Sequence, residues 1–111
     1  MILRVAIATL AVAVLSTTVF AAKPTALPPA TDLQADARVA REAGIPVVVL
    51  ISLEGCPYCE EVRRSHLMPL DKSSPRIALV RQVELKGAAT LTDFDGRKTS
   101  HAEFARRHRA P

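Results

Sequence analysis

The chain has 111 residues, 49% of them hydrophobic, which limits it to one small domain. Its formal net charge is +4, with basic residues spread along the chain apart from the run Arg106-Arg107-His108-Arg109. No aromatic residue interleaves with that run and no nucleic-acid motif accompanies it, so it reads as a solvated helix end and nucleic acid is excluded as a partner.

Arg4 supplies a short positive start, residues 5–20 are apolar without a charge, and Val19-Phe20-Ala21 offers small residues at a cleavage site. This pattern predicts a secretory signal peptide over 1–21. The apolar stretch is shorter than the ~20 residues that span a bilayer, so membrane attachment is expected only through an uncleaved signal. Cleavage leaves about 90 residues, near the lower limit for a self-sufficient core. Export places the protein in the periplasm or outside the cell, where thiols oxidise.

Pro24, Pro28 and Pro29 mark 22–30 as an extended linker, followed by a domain over 31–111. Thr31-Asp32-Leu33-Gln34 fits a capping box with Thr31 as N-cap. Leu33, Ala37 and Ala40 recur at helical spacing and Gly44 suits the C′ position, predicting a helix from about Asp32 to Ala43. Pro46 to Leu53 is apolar almost throughout and rich in β-branched residues, as expected of a strand covered on both faces. A helix follows from Pro57 toward Leu67 or Met68, and Pro69 ends or kinks it. Ile77 to Leu85 alternates as a second strand, with Arg81 breaking the apolar parity, so strand, helix and strand make a βαβ unit. Asp95-Gly96 signals a turn. Ser100-His101-Ala102-Glu103 is a second capping box, opening a helix that carries Ala102, Phe104 and Ala105 and ends near His108.

The chain has two cysteines, Cys56 and Cys59, in the motif Cys56-Pro57-Tyr58-Cys59 where the first strand gives way to a helix. This spacing lets two sulfurs close a small disulfide ring or open it to a dithiol. So short a loop constrains little of the unfolded chain, which favours a redox role over a structural one. Cys56, at the helix start, has backbone N–H groups to stabilise its thiolate and is assigned as the nucleophile; Cys59, nearly one turn further in, is the resolving thiol. Pro57 holds the turn and Tyr58 points outward to the rim. Glu54, Glu60 and Glu61 oppose a thiolate, whereas Arg63 and Arg64 a turn further along favour it.

The segment Glu54-Gly55-Cys56-Pro57-Tyr58-Cys59-Glu60-Glu61-Val62, with an apolar strand before it and Pro69 after it, resembles the active-site segment of exported thioredoxin-like proteins. Leu91-Thr92-Asp93-Phe94-Asp95-Gly96 and the helix at Phe104-Ala105-Arg106-Arg107 extend the resemblance over roughly Leu33 to His108. It implies an α/β thioredoxin-like fold and a thiol–disulfide oxidoreductase that needs no cofactor or metal. The implied partners are protein or small-molecule thiols and disulfides and a redox partner protein. The Pro-Tyr pair is also typical of glutaredoxins, but no glutathione-binding segment is identified. Two departures stand out. Where the family carries a buried proton-accepting acid six residues before the first cysteine, this chain has Leu50, and Glu54 is the nearest carboxylate for that role. The cis-proline loop, two strands and a final helix that the family places next are not found before Ala110-Pro111. The expectation is therefore an incomplete domain whose first strand lacks a neighbour.

Two other readings use the same residues. Cys56 and Cys59 could give two thiolates to Cu(I) or Zn(II), although His66 sits about 10 Å from Cys59 at 1.5 Å rise per residue. His101 and His108 are expected to be solvated at the ends of the last helix. A non-catalytic module that offers its open strand edge to a partner is the third. No Ser-His-Asp order, phosphate loop or paired-carboxylate site is present.

Overall fold

A computed structural model describes residues 26–110; the expected signal peptide lies outside them. The architecture is mixed α/β. Helix α1 spans Leu33–Ala43, strand β1 Val47–Ser52, helix α2 Pro57–Val62 and helix α3 Met68–Asp71. Strands β2 (Leu79–Glu84), β3 (Thr90–Thr92) and β4 (Lys98–Ser100) follow, and helix α4 spans His101–Arg107.

The strand–helix–strand expectation is seen as β1 paired in parallel with β2, from Val47 opposite Leu79 to Ser52 opposite Glu84. The segment expected to be a linker contributes a third parallel partner at its end. Ala30 N–H donates to the Gln82 carbonyl at 2.8 Å, and Gln82 N–H to the Pro28 carbonyl at 2.9 Å. Leu27 and Ala30 are buried there. Among the described residues β1 pairs with β2 alone.

Side chains alternate across the sheet and build two apolar clusters. On one face, Val49 and Ile51 pack with Ala30, Leu33, Val83, Leu91 and Phe104, under α1 and α4. On the other, Val48 and Leu50 pack with Leu27, Ala78 and Val80, beneath Leu67, Met68 and Leu70. Arg81, the break in β2's apolar parity, lies opposite Val49 and forms a two-pronged ion pair with Asp36 of α1, both contacts at 2.9 Å. Half-buried bidentate geometry of this kind tolerates a charge that an isolated core position would not.

Four local expectations change. The N-cap of α1 is Asp32, not Thr31: the Asp32 carboxylate accepts from Ala35 N–H at 2.9 Å, while the Thr31 carbonyl accepts from Thr92. Gly44 closes this helix as expected, with φ 67°. Pro69 does not end the helical stretch. A π-helical turn, Arg63–Leu67, with Met68 N–H reaching back to the Arg63 carbonyl, precedes it and relaxes the crowding a proline imposes on the turn before it. The Asp95-Gly96 turn joins a short antiparallel hairpin, β3 with β4, which the sequence pattern did not indicate.

The fourth change is His101, which is buried rather than solvated. Its Nδ1 accepts from Glu84 N–H at 3.1 Å, so its Nε2–H donates to the Ala30 carbonyl at 2.9 Å. One ring thus ties α4 to β2 and to the N-terminal segment. Ser100 caps α4 as the second capping box predicts, its hydroxyl accepting from Glu103 N–H at 3.1 Å. His101→Leu keeps bulk but strands a buried donor and a buried acceptor. We expect it to lower unfolding stability by about 2–5 kcal/mol in urea titrations, and a loss below about 1 kcal/mol would show that the ring's hydrogen bonds are not structural.

Candidate active site

The cysteine turn hangs from the end of β1. Cys56 N–H donates to the Leu53 carbonyl at 3.2 Å, and Gly55 takes φ 74°, a left-handed conformation that costs a side-chain-bearing residue but not glycine. Cys56 is the N-cap of α2 with an extended backbone, and Pro57 opens the helix, where its missing N–H costs no hydrogen bond. The Cys56 sulfur accepts the Cys59 N–H at 3.3 Å. Both cysteines are free thiols and half-buried. Tyr58, at 84% exposure, stands on the rim as expected. Glu54 is exposed on the turn and lines a cleft of about 940 Å³ with Ser52, Glu60, Arg63 and Gln82.

A second, smaller recess of about 350 Å³ holds both sulfurs, between Ile51, Leu53, Leu85 and Ala110. It is apolar except for the sulfurs. Its walls would accept an apolar side chain lying beside the sulfurs.

Behind Cys59, Arg63 was expected to favour a thiolate, whereas the roles of Ser52 and Gln82 escaped the sequence reading. Arg63 is buried at 7% exposure, and Ser52 at 2%. Arg63 Nη2 donates to the Ser52 hydroxyl at 2.6 Å, Nε donates to Gln82 Oε1 at 2.8 Å, and Nη1 pairs with Glu60. Gln82 passes a further hydrogen bond to Glu84. Arg64, by contrast, is exposed and pairs with Glu61 at 3.1 Å. The Arg63 signal was present in the sequence only as spacing: it lies four residues after Cys59, hence on the same helical face. Nothing local indicated that it would turn inward.

The Cys59 thiol is held below its ordinary value. The Cys56 sulfur is the largest cause, followed by the Leu53 backbone; the Ser52 hydroxyl and the Arg63 charge act in the same direction, and burial opposes them. The arrangement therefore gives Cys56 the helix-end amide and gives Cys59 the surrounding hydroxyl and cation. The Glu54 carboxylate, the nearest candidate for a proton acceptor, is not among the groups acting on Cys59.

Among the described residues no group of three or more His, Cys, Asp and Glu side chains converges on a point that could hold a metal ion. His66 is exposed on the π-helical turn.

A depressed folded-state value for Cys59 has a definite pH signature. Its ionisation adds stability to the reduced protein above the unfolded-chain thiol value, and that contribution is lost as pH falls through the folded value. Urea melts of the reduced protein should therefore gain midpoint as pH rises across that window, and Cys56→Ala should shrink the gain. A pH-independent midpoint in that window would refute the depressed thiol. Comparison of the chain with protein-family models, with curated proteins and with solved structures found no match.

Proposed function

We propose that the protein is an exported thiol–disulfide oxidoreductase of the thioredoxin-like type, acting through Cys56 and Cys59. The observation that carries this reading is the placement of the Cys56 sulfur at a helix start, hydrogen-bonded to the Cys59 amide, with Cys59 one turn inward on the same helix. A thiolate needs such donors to form near neutral pH, and exchange needs the second thiol within reach of the first. The backbone order supports a thioredoxin-like sheet: β1, β2 and the Pro28–Ala30 segment lie side by side and parallel, with the cysteine helix following β1.

In the reductive direction the Cys56 thiolate attacks one sulfur of a substrate disulfide. The substrate S–S bond breaks, and the departing sulfur leaves as a thiolate that takes a proton from water. The Cys59 thiolate then attacks the Cys56 sulfur and expels the second substrate thiolate. The protein gives up two electrons and holds a Cys56–Cys59 disulfide; the substrate gains them as a dithiol. In the oxidative direction the same bonds form and break in reverse. Pro57 fixes the turn, and Tyr58 borders the approach of the substrate. A redox partner protein bearing a dithiol or a disulfide restores the starting state, and the whole cycle runs on sulfur without a cofactor. The apolar stretch at 5–20 supports a place in the periplasm or outside the cell.

Cys56→Ser should reduce disulfide-exchange turnover to the uncatalysed rate, measured by thiol release from a small aromatic disulfide. Cys59→Ser should instead accumulate a mixed disulfide on Cys56, visible as a mass increase by one substrate half. Wild-type turnover in the Cys56→Ser variant would exclude this reaction.

A further inference from the structure

Arg63 is a buried cation. Its guanidinium sits at 9% side-chain exposure, and two of its contacts, Ser52 and Gln82, are neutral. Its carboxylate partner, Glu60, is 66% exposed and screened by water. A guanidinium held in this way keeps much of its field inside the protein, where charges act more strongly than at the surface. The half-buried Glu84 reaches the guanidinium only through Gln82, and Cys59 lies one helical turn before Arg63. Arg63 N–H donates to the Cys59 carbonyl, so the two side chains rise from the same face of the helix. Ser52 holds the guanidinium from the strand beneath, its hydroxyl accepting from Arg63 Nη2 at 2.6 Å. The Ser52 hydroxyl and the Arg63 charge both favour the Cys59 thiolate.

We propose that Arg63 and Ser52 are positioning residues that stabilise the Cys59 sulfur as a thiolate in the dithiol, and so bias the pair toward accepting electrons from substrate dithiols. The inference rests on the exchange reading and gives it a direction. A disulfide is neutral and gains nothing from a cation behind it; a thiolate gains directly. Stabilising only the reduced form raises the reduction potential. The favoured step is then substrate dithiol plus protein disulfide giving substrate disulfide plus protein dithiol. Two electrons pass to Cys56 and Cys59, the two protons of the substrate thiols go to solvent or to the protein thiols, and a disulfide-bearing partner reoxidises the pair.

The test equilibrates the protein with mixtures of reduced and oxidised glutathione and counts Cys56–Cys59 disulfide by thiol labelling. Arg63→Gln should lower the equilibrium constant for reducing the protein disulfide about tenfold, a potential about 30 mV more negative. Ser52→Ala should shift it in the same direction, and Arg63→Lys should recover part of the loss. Glu60→Gln should shift it the opposite way, because it removes the competing carboxylate. The pH midpoint of Cys59 alkylation should rise in Arg63→Gln and fall in Glu60→Gln, a pair of opposite signs that loss of packing would not produce. If Arg63→Gln does not fold by far-ultraviolet circular dichroism, Ser52→Ala and Glu60→Gln carry the same test. Variants within about twofold of wild type, or shifts of one sign in both Arg63→Gln and Glu60→Gln, would overturn the inference while wild-type cycling leaves the exchange reading intact. A wild-type protein that never forms the Cys56–Cys59 disulfide would remove both.

Discussion

The parallel register of β1 on β2 is the constraint from which the rest of the site follows. Pairing Val47 with Leu79 and Ser52 with Glu84 decides which residues share the face beneath the cysteine helix. Along that face, Val48 and Leu50 stand beside Val80 and Gln82, and Ser52 stands beside Glu84. The face is apolar where Leu67, Met68 and Leu70 cover it and turns polar at the end where the cysteines begin. A slip of one residue would send Ser52 to the opposite face and put Ile51 in its place. Arg63 would then have no hydroxyl to bond, and its burial would be unsupported.

That polar end carries a cation where the resemblance to thioredoxin-like proteins implies an acid: Leu50 stands in the place of the expected carboxylate. The buried polar side chains on the strand and helix behind the cysteines are instead the Ser52 hydroxyl and the Arg63 guanidinium, the latter held by Gln82 and Glu60. A carboxylate and a guanidinium act in opposite senses on a nearby sulfur. The first takes its proton at the cost of adding negative charge beside it, whereas the second favours the charged sulfur outright.

Much of the framework was legible because it is written locally. Gly44 ends α1, Ser100 opens α4 and the Val47–Ser52 run forms a strand; each follows from residues within a turn or two of one another. The cysteine turn belongs to the same class, since its geometry depends on Gly55, Pro57 and the helix start. The features that escaped depend on partners far along the chain. Asp32 displaces Thr31 as the cap because Thr92 claims the Thr31 carbonyl from sixty-one positions away. His101 is buried because Ala30 and Glu84 supply an acceptor and a donor that no helical pattern around residue 101 reveals. Arg81 looked like a flaw in a strand until Asp36 was placed opposite it. Arg63 sits in a charged, exposed-looking run, and only the strand behind it explains its inward turn.

The wide turn at Arg63–Leu67 sets the phase of the helical stretch that carries it. A π-helical turn holds about one more residue than an α-helical one, and each residue rotates the helix by about 100°. The extra residue therefore resets the phase between the two halves of the stretch. Upstream, Cys59 and Arg63 keep an α-helical spacing toward the polar end of the sheet; downstream, Leu67, Met68 and Leu70 are brought around to the apolar end. Without that offset one half would have to face water for the other to face the sheet. Shortening the run by a single residue would make a more regular helix and a worse protein, because the cysteine-bearing half and the packing half could no longer be satisfied by the same backbone.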